Sequence, residues 1–459
     1  MLRDTQSRQF DQDFNNQGVT TRIKVQSILI ALVLCILASW PIILSGNHSG
    51  RGAWDDYQYH WVAITEFADQ LPNPDISDYA SATTPGYHLI LAAFVKAGVG
   101  HMGAQLIASV WTLGLVGFLV WVLSARFGRV AALVALPMIA SMYVLYPGIW
   151  LLPDNAGWLG VLGILLLSLR PNPTWKTWAL SGLILCALIL FRQVHIWIAA
   201  TIWLSAWVGS STQTPTTLST LFSSLFDRTG RSFIALACTI PAFTVLFFFL
   251  SIWGGLVPPT FQNQHQGPNL VTPGFILTQL SILSVFYIPL LYPKLKETWK
   301  HHWGWILFAI FVGFVLGIVP ESSYSVEAGR YSGWWSIINK IPTIADRSLV
   351  IMLGSIAGAV ALAVWLSFVD RRDIWIWIGT LVAFVLAQSA NHASWQRYHE
   401  PMLLIMILLI LARSSTIQRS TRWVILGSVL LAGMFGMLTL SSLIGADPVE
   451  TQAQLSVLP

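Results

Sequence analysis

Charge is scarce in this chain. Only 10% of its 459 residues are Asp, Glu, Lys or Arg, whereas 55% are hydrophobic. Soluble globular domains carry about 25% charged residues, and the mean hydropathy here is +0.65, so an ordinary soluble protein is excluded. Long polar stretches are also missing. The breaks between apolar runs reach about forty residues at most, which leaves nothing that resembles a separate soluble domain. Cysteine is nearly absent: Cys35, Cys186 and Cys238 all fall inside apolar runs, which argues against disulfides and against a thiolate metal site. There is no phosphate-binding glycine loop and no HExxH or other tight ligand spacing, so neither a nucleotide substrate nor a structural metal is expected, and no cofactor is implied.

What the chain does have is apolar runs of a length that suits a bilayer, since a spanning helix needs about 20 apolar residues. The expected fold class is all-α, a polytopic membrane bundle. Thirteen runs qualify: Val25–Gly46, Ala104–Leu123, Val130–Leu145, Ala156–Leu169, Trp178–Leu190, Val194–Val208, Phe233–Trp253, Pro273–Leu291, Trp303–Val319, Leu349–Val369, Ile374–Ala387, Pro401–Ala412 and Trp423–Leu440. The first follows Arg22 and Lys24 and has no small-x-small cleavage site after it, so it reads as a retained signal-anchor. Residues 1–24 are expected to form a cytosolic tail, 25–441 the spanning domain with a first external loop at 47–103, and 442–459 an external tail.

The charges set the orientation. With Gly86–Val99 lying flat on the membrane rather than crossing it, 18 of the 25 Lys and Arg fall on one side, including Arg126, Arg129, Lys294, Lys296 and Lys300. That side is the cytosol by the positive-inside rule, which accounts for the pI near 9.2 without nucleic acid. Thirteen of the 20 Asp and Glu and eight of the ten His fall on the other side. Lys96 interrupts the apolar face of Gly86–Val99, and that segment and Tyr57–Gln70 both suit interfacial helices.

The external side gathers the reactive groups. Trp54-Asp55-Asp56-Tyr57-Gln58-Tyr59-His60 follows the first span and is succeeded by Thr83-Thr84-Pro85-Gly86-Tyr87-His88. Acidic residues near hydrocarbon are costly and mark function, although an Asp at the head of Tyr57–Gln70 also suits a helix N-cap. Further along come Asp154, the run Phe191-Arg192-Gln193-Val194-His195, the run Phe261 to His265, then Glu321, Arg330, and Arg397-Tyr398-His399-Glu400-Pro401. Arg192 has almost no loop around it. A cation held there wants an anion, and a guanidinium grips phosphate in bidentate fashion.

These motifs resemble the GT-C superfamily of lipid-phosphate-sugar-dependent glycosyltransferases, most of all the α-1,2-glucosyltransferases that add the terminal glucose to dolichol-linked oligosaccharide. That family's Asp-Glu-x-x-His is matched by Asp56 to His60, its Thr-Thr-Pro-Pro-Gly-Leu-Tyr by Thr83 to Tyr87, and its Phe-Arg-Gln-Thr-Asn-Ile by Phe191 to Ile196. Its Gly-Asp-Lys-x-x-His followed by Gln is similar to Phe261–His265 with Gln279, and its Glu-Pro-Arg-Tyr resembles Arg397 to Pro401 in changed order. Gly-Asp-Lys itself is absent here, and so is one proline. The motifs run in the same order over most of the chain. The lack of long eukaryote-specific insertions favours a bacterial relative.

The resemblance implies a polyprenyl-phosphate-sugar donor, a glycan or lipid-linked acceptor, and inverting transfer. The site would face the periplasm from a bacterial inner membrane, or the lumen from an endoplasmic reticulum membrane. Asp56 is the expected base, because it aligns with the family Asp when His60 is matched to its His, with Asp55 beside it. Arg192, Gln193, Arg397 and Arg330 are expected at the donor phosphate. His60, Thr83, Thr84, His88, Asp154, His195, His265 and Tyr398 are expected around the substrates. The rival classes are a transporter or flippase, which would show internal repeats and midplane polar groups, and a polysaccharide polymerase or ligase, which would show one dominant external loop.

Overall fold

Apolar runs in the absence of water must satisfy their backbone internally, and the structure is accordingly built of helices. The computed structural model describes residues 20–46, 49–209, 218–264, 267–414 and 420–444. The two expected tails fall mostly outside these residues, and His265 falls wholly outside them. The helices are α1 (Thr21–Leu44), α2 (Arg51–Asp55), α3 (Trp61–Gln70), α4 (Gly86–Lys96), α5 (His101–Phe127), α6 (Ala131–Val134), α7 (Leu136–Ala140), α8 (Met142–Ile149), α9 (Asp154–Ser168) and α10 (Trp175–Phe191). There follow α11 (Ala199–Val208), α12 (Leu218–Trp253), α13 (Thr272–Val285), α14 (Ile288–Ile318), α15 (Trp334–Ile338), α16 (Leu349–Leu366), α17 (Arg371–Ser389), α18 (Gln396–Arg413) and α19 (Thr421–Ile444). One two-stranded hairpin, Thr343–Ile344 with Arg347–Ser348, interrupts them.

Among the described residues six helical stretches are long and apolar enough to cross a bilayer: Thr21–Leu44, His101–Ala140, Leu225–Trp253, Ile288–Ile318, Leu349–Leu366 and Thr421–Ile444. The protein is an all-α polytopic membrane protein. Three of the thirteen expected spans are reshaped, of which Val194–Val208 opens as the 3-10 segment Gln193–Ile198 before α11. Val130–Leu145 is broken into α6, α7 and the start of α8. The cause is local: Ser141 is extended and caps α8 through its side chain, and Pro137 stands in the first turn of α7. Trp303–Val319 begins earlier than its hydropathy suggests. Lys294, Lys296 and Lys300 are helical, and α14 runs on from Ile288 with a kink at His302.

Close packing follows small residues. A Cβ on Gly358 of α16 would strike the Leu277 carbonyl of α13, and one on Gly313 of α14 would come within 2.6 Å of the Ser355 carbonyl on α16. Ser355 donates to the Gly313 carbonyl at 2.7 Å. Small residues let backbones approach where lipid offers no hydrophobic gain for association.

The centre of the bundle is α18, buried without interruption from Tyr398 to Ala412. A helix apolar on every side belongs in the core. Its polar residues stand only at its ends, Gln396, Arg397, Tyr398, His399 and Glu400 at one and Arg413 at the other. Arg397 and Arg413 are about 24 Å apart at 1.5 Å per residue, close to the ~30 Å of a hydrocarbon core. At the far end Arg413 pairs with Asp373 at 2.7 Å and Arg372 with the same carboxylate at 3.0 Å.

The segment 49–103, expected as the first external loop, folds as a small layer of its own. Ala63, Ile64 and Phe67 of α3 pack with Tyr87 and Leu91 of α4 over Ala104 and Ala108 of α5. At 11 residues α4 is about 17 Å long, too short to cross the membrane.

The orientation is testable at two exposed positions, Lys300 in α14 before its kink and Glu327 beyond its end. Glu327→Cys should react with a membrane-impermeant maleimide on intact cells, and Lys300→Cys only after permeabilisation. Labelling of both from one side would overturn the assignment of basic breaks to the cytosol.

Candidate active site

Asp55 and Asp56 lie inside a continuous helical segment. Asp55 ends α2, and Asp56–His60 form one π-helical turn before α3. Single π turns interrupt α-helices frequently at functional sites. Neither Asp caps a helix with its side chain, so the N-cap reading fails: the helix has already begun at Arg51.

The two carboxylates face different partners. Asp56 is 0% exposed. Its Oδ2 accepts from Gln105 Nε2 at 3.0 Å, and its Oδ1 lies 3.2 Å from His101 Nε2. Asp55 Oδ2 instead accepts from Arg397 Nη1 at 2.7 Å, and its Oδ1 lies 3.7 Å from Arg51 Nε. Sequence reasoning passed over His101 and Gln105. A signal was present, because the two stand four apart and so share one face at the start of α5.

A second ion pair stands beside the first. Arg192, at the junction of α10 with the turn Gln193–Ile198, meets Asp154 in the first turn of α9 at 2.5 Å. The helix dipole favours an anion at that terminus. Both guanidiniums stand against the Tyr398 ring, Arg192 at 5.5 Å and Arg397 at 5.2 Å from its centroid, and Arg397 also stands 5.4 Å from the Trp395 ring. Arg397 Nε has no hydrogen-bond partner. Gly157 is required below the pair, since a Cβ there would come 2.7 Å from His195 Nε2 and 3.7 Å from Arg192 Cδ.

His60 and His88 form a buried couple, with Nδ1 of the first 2.9 Å from Nε2 of the second and the rings stacked at 13°. His88 Nδ1 is without a partner. A bare lone pair there costs less than a bare N–H, so His88 donates and His60 Nε2 carries its own proton. Burial pushes the His88 imidazole down to about 3. Burial also lowers His60 well below its usual range, helped by His88 and by the positive fields of Arg397 and Arg192. Both rings are therefore neutral at neutral pH.

Other expected residues have structural employment. Gln193 accepts from the Thr84 amide at 3.0 Å and donates to the carbonyls of Ala82 and Leu256 at 2.9 and 2.8 Å, so its amide is spent on three backbone groups and staples the loops above the site. Thr84 Oγ1 donates to the Ile189 carbonyl at 2.5 Å, and Thr83 Oγ1 bonds Ser81 within its own turn. Arg330 donates to the Ser323 carbonyl at 2.6 Å within its own loop, beside Glu321 and Asp346 rather than Arg192. Gln279 joins His399 at 3.1 Å on the bundle interior, apart from Phe261. His195 is buried against the Trp158 edge with neither ring nitrogen bonded. The cluster that the fold assembles is thus Asp55, Asp56, His60, His88, Asp154, Arg192, Arg397 and Tyr398, with His101 and Gln105 behind it.

No family model matches the chain, and no curated protein matches it. Two solved structures are similar to it. The crystal structure of ArnT from Cupriavidus metallidurans in the apo state aligns at 13% identity over 91% of this chain and 75% of that one, with a TM-score of 0.35. The oligosaccharyltransferase of Archaeoglobus fulgidus, in complex with zinc and sulfate, aligns at 14% identity over 85% of this chain and 53% of that one, with a TM-score of 0.31. At those scores neither likeness bears on this chain's chemistry, which rests on its own residues.

The histidine couple has a pH consequence. A histidine whose folded pKa lies below its unfolded value of about 6.5 contributes stability that is complete above 6.5 and is lost as pH falls towards the folded value. The melting temperature of the detergent-solubilised protein should therefore drop between pH 6.5 and about 3. His88→Gln should flatten that part of the curve, as scanning fluorimetry across buffers would show.

Proposed function

We propose that the protein is a GT-C-type glycosyltransferase that moves a sugar from a polyprenyl-phosphate donor to an acceptor hydroxyl at the external membrane face. The observation that carries this reading is the pair of guanidiniums, Arg192 and Arg397, against one Tyr398 ring, each beside an aspartate. Their place at one end of the buried α18 suits a donor whose lipid lies in the bilayer and whose phosphate lies at its boundary.

The chemistry follows from the charges. Asp55 takes the proton of the acceptor hydroxyl, whose oxygen bonds the anomeric carbon from the face opposite the phosphate. The carbon–oxygen bond to phosphate breaks, its electron pair leaves with the polyprenyl phosphate, and the anomeric configuration inverts. The donor diester carries one negative charge and the departing monoester carries two. Fixed cations beside that oxygen stabilise the transition state more than the ground state. Arg192 and Arg397 fill that role, and the His60 Nε2–H supplies a neutral donor for a sugar or phosphate oxygen.

The choice of Asp55 over the expected Asp56 rests on access. Asp56 is 0% exposed and both its oxygens are engaged by α5, whereas Asp55 faces Arg397. Asp56 then sets the orientation of the turn that carries Asp55. The donor sugar, the acceptor, the cytosolic tail and the external placement belong to the same proposal.

The test is incubation of the purified protein with a panel of polyprenyl-phosphate sugars, with lipid and product read by mass spectrometry. Asp55→Asn should lower turnover by about 10² or more with the fold intact, and Asp56→Asn by less. Arg192→Lys keeps the charge but loses the planar fork, and should cost at least about tenfold, roughly 1.4 kcal/mol of transition-state stabilisation. Full turnover in Asp55→Asn would return the base to Asp56 or Asp154.

A further inference from the structure

Resting on the donor reading above, we propose that the donor's phosphate competes with the Asp55 carboxylate for Arg397, so that donor binding itself releases the base. The two ion pairs of the site are built differently. Arg192 and Asp154 are 10% and 9% exposed, and Asp154 is further held by the dipole of α9. That pair is settled. In the other, the Arg397 side chain is 30% exposed, so an anion can reach the guanidinium where it meets solvent, while its Nε is buried without a partner. Asp55 in turn has somewhere to go. Its Oδ1 already lies 3.7 Å from Arg51, whose side chain is 70% exposed and rests over the Trp54 ring at 4.9 Å.

The exchange leaves no charge uncompensated. Phosphate replaces carboxylate on Arg397, and the carboxylate moves towards Arg51. Removing one partner of a buried pair is costly because the other is left bare, and substitution avoids that penalty. The chemical gain is in timing. While Asp55 Oδ2 accepts from Arg397 Nη1 that oxygen is taken, and once the carboxylate turns away it can meet the acceptor hydroxyl. The base is therefore restrained until the sugar is in place, and the acceptor hydroxyl is activated only with a donor beside it. The trapped and released states differ by one side-chain rotation, with α18 unmoved.

The experiment is a binding titration of the full chain in detergent micelles with farnesyl phosphate, a polyprenyl phosphate lacking the sugar. Asp55→Asn removes the competing charge and should tighten binding by about fivefold, the scale of one part-exposed ion pair. The same variant should lose turnover. Asp154→Asn should not tighten binding, and Arg397→Gln should weaken it. If Asp55→Asn fails to fold, Asp55→Ser carries the same expectation. Equal or weaker farnesyl phosphate binding in a folded Asp55 variant, with the parent protein binding normally, would overturn the exchange and leave the donor reading intact. No binding of farnesyl phosphate by the parent protein would overturn the donor reading and the exchange together.

Discussion

A charge beside hydrocarbon must have a partner, and this requirement organises the molecule. Desolvating an ion costs several kcal/mol even after relaxation, so ionised side chains in a bundle of this kind collect where partners or water can reach them. Here they collect in two layers. One holds Asp55, Asp154, Arg192 and Arg397, and the other holds Arg372, Asp373 and Arg413. Between them α18 presents nothing but apolar side chains from Pro401 to Ala412. The layers are not equivalent. The second is closed by backbone: Arg372 donates to the carbonyls of Ser168, Leu169 and Gly209, and its neighbour Asp373 serves Arg413 as well. Both keep unbonded polar atoms, the second at the Ser168 hydroxyl and the first at Arg397 Nε, His88 Nδ1 and the Tyr87 hydroxyl. Such bare groups are costly in a purely structural network.

Rigidity in the site comes from its periphery. Gln193 joins the turn after α10 to the loop at Ala82 and to the chain at Leu256. Asp78 accepts from the Thr260 amide and hydroxyl at 3.2 and 2.6 Å, and Trp253 donates to the Ile76 carbonyl at 2.9 Å. These bonds tie the segment between α3 and α4 to the end of α12 and fix where α4 presents His88 to His60. A motif residue can thus be indispensable to a site without touching what the site binds.

The sequence made the fold class legible because hydropathy and charge bias are properties of single segments. It also made the ring of motifs legible: Phe191-Arg192-Gln193 and the Asp55-Asp56 pair both reach the site. Pairing was not legible. Asp55 meets a residue 342 positions away, and no local spacing announces that contact. The different partners of Asp55 and Asp56 were equally hidden, since adjacent identical residues differ only in which way the helix turns them. The broken stretch after α5 has the apolar content of a span, and its interruption depends on Ser141 using its hydroxyl on the Tyr143 amide and on Glu400. That second contact is 259 residues distant. Elements set by composition were readable, whereas those set by a single long-range polar contact were not.

The Arg372 clasp has a consequence for how the chain is made. The last carbonyls of a helix have no partner within it. At the end of α9 those of Ser168 and Leu169 are bonded by Arg372, 204 residues later for Ser168. At roughly 5–20 residues per second of synthesis, α9 waits roughly ten to forty seconds for that guanidinium. Until then its end depends on interfacial water, and the early helices are in the membrane without their central partner α18. The clasp and α18 arrive within one stretch of chain, Arg371 to Arg413. Assembly therefore closes late and at one step, and a ribosome that stopped before residue 371 would leave a set of inserted helices with neither Arg372 to seal the one layer nor Arg397 to complete the other.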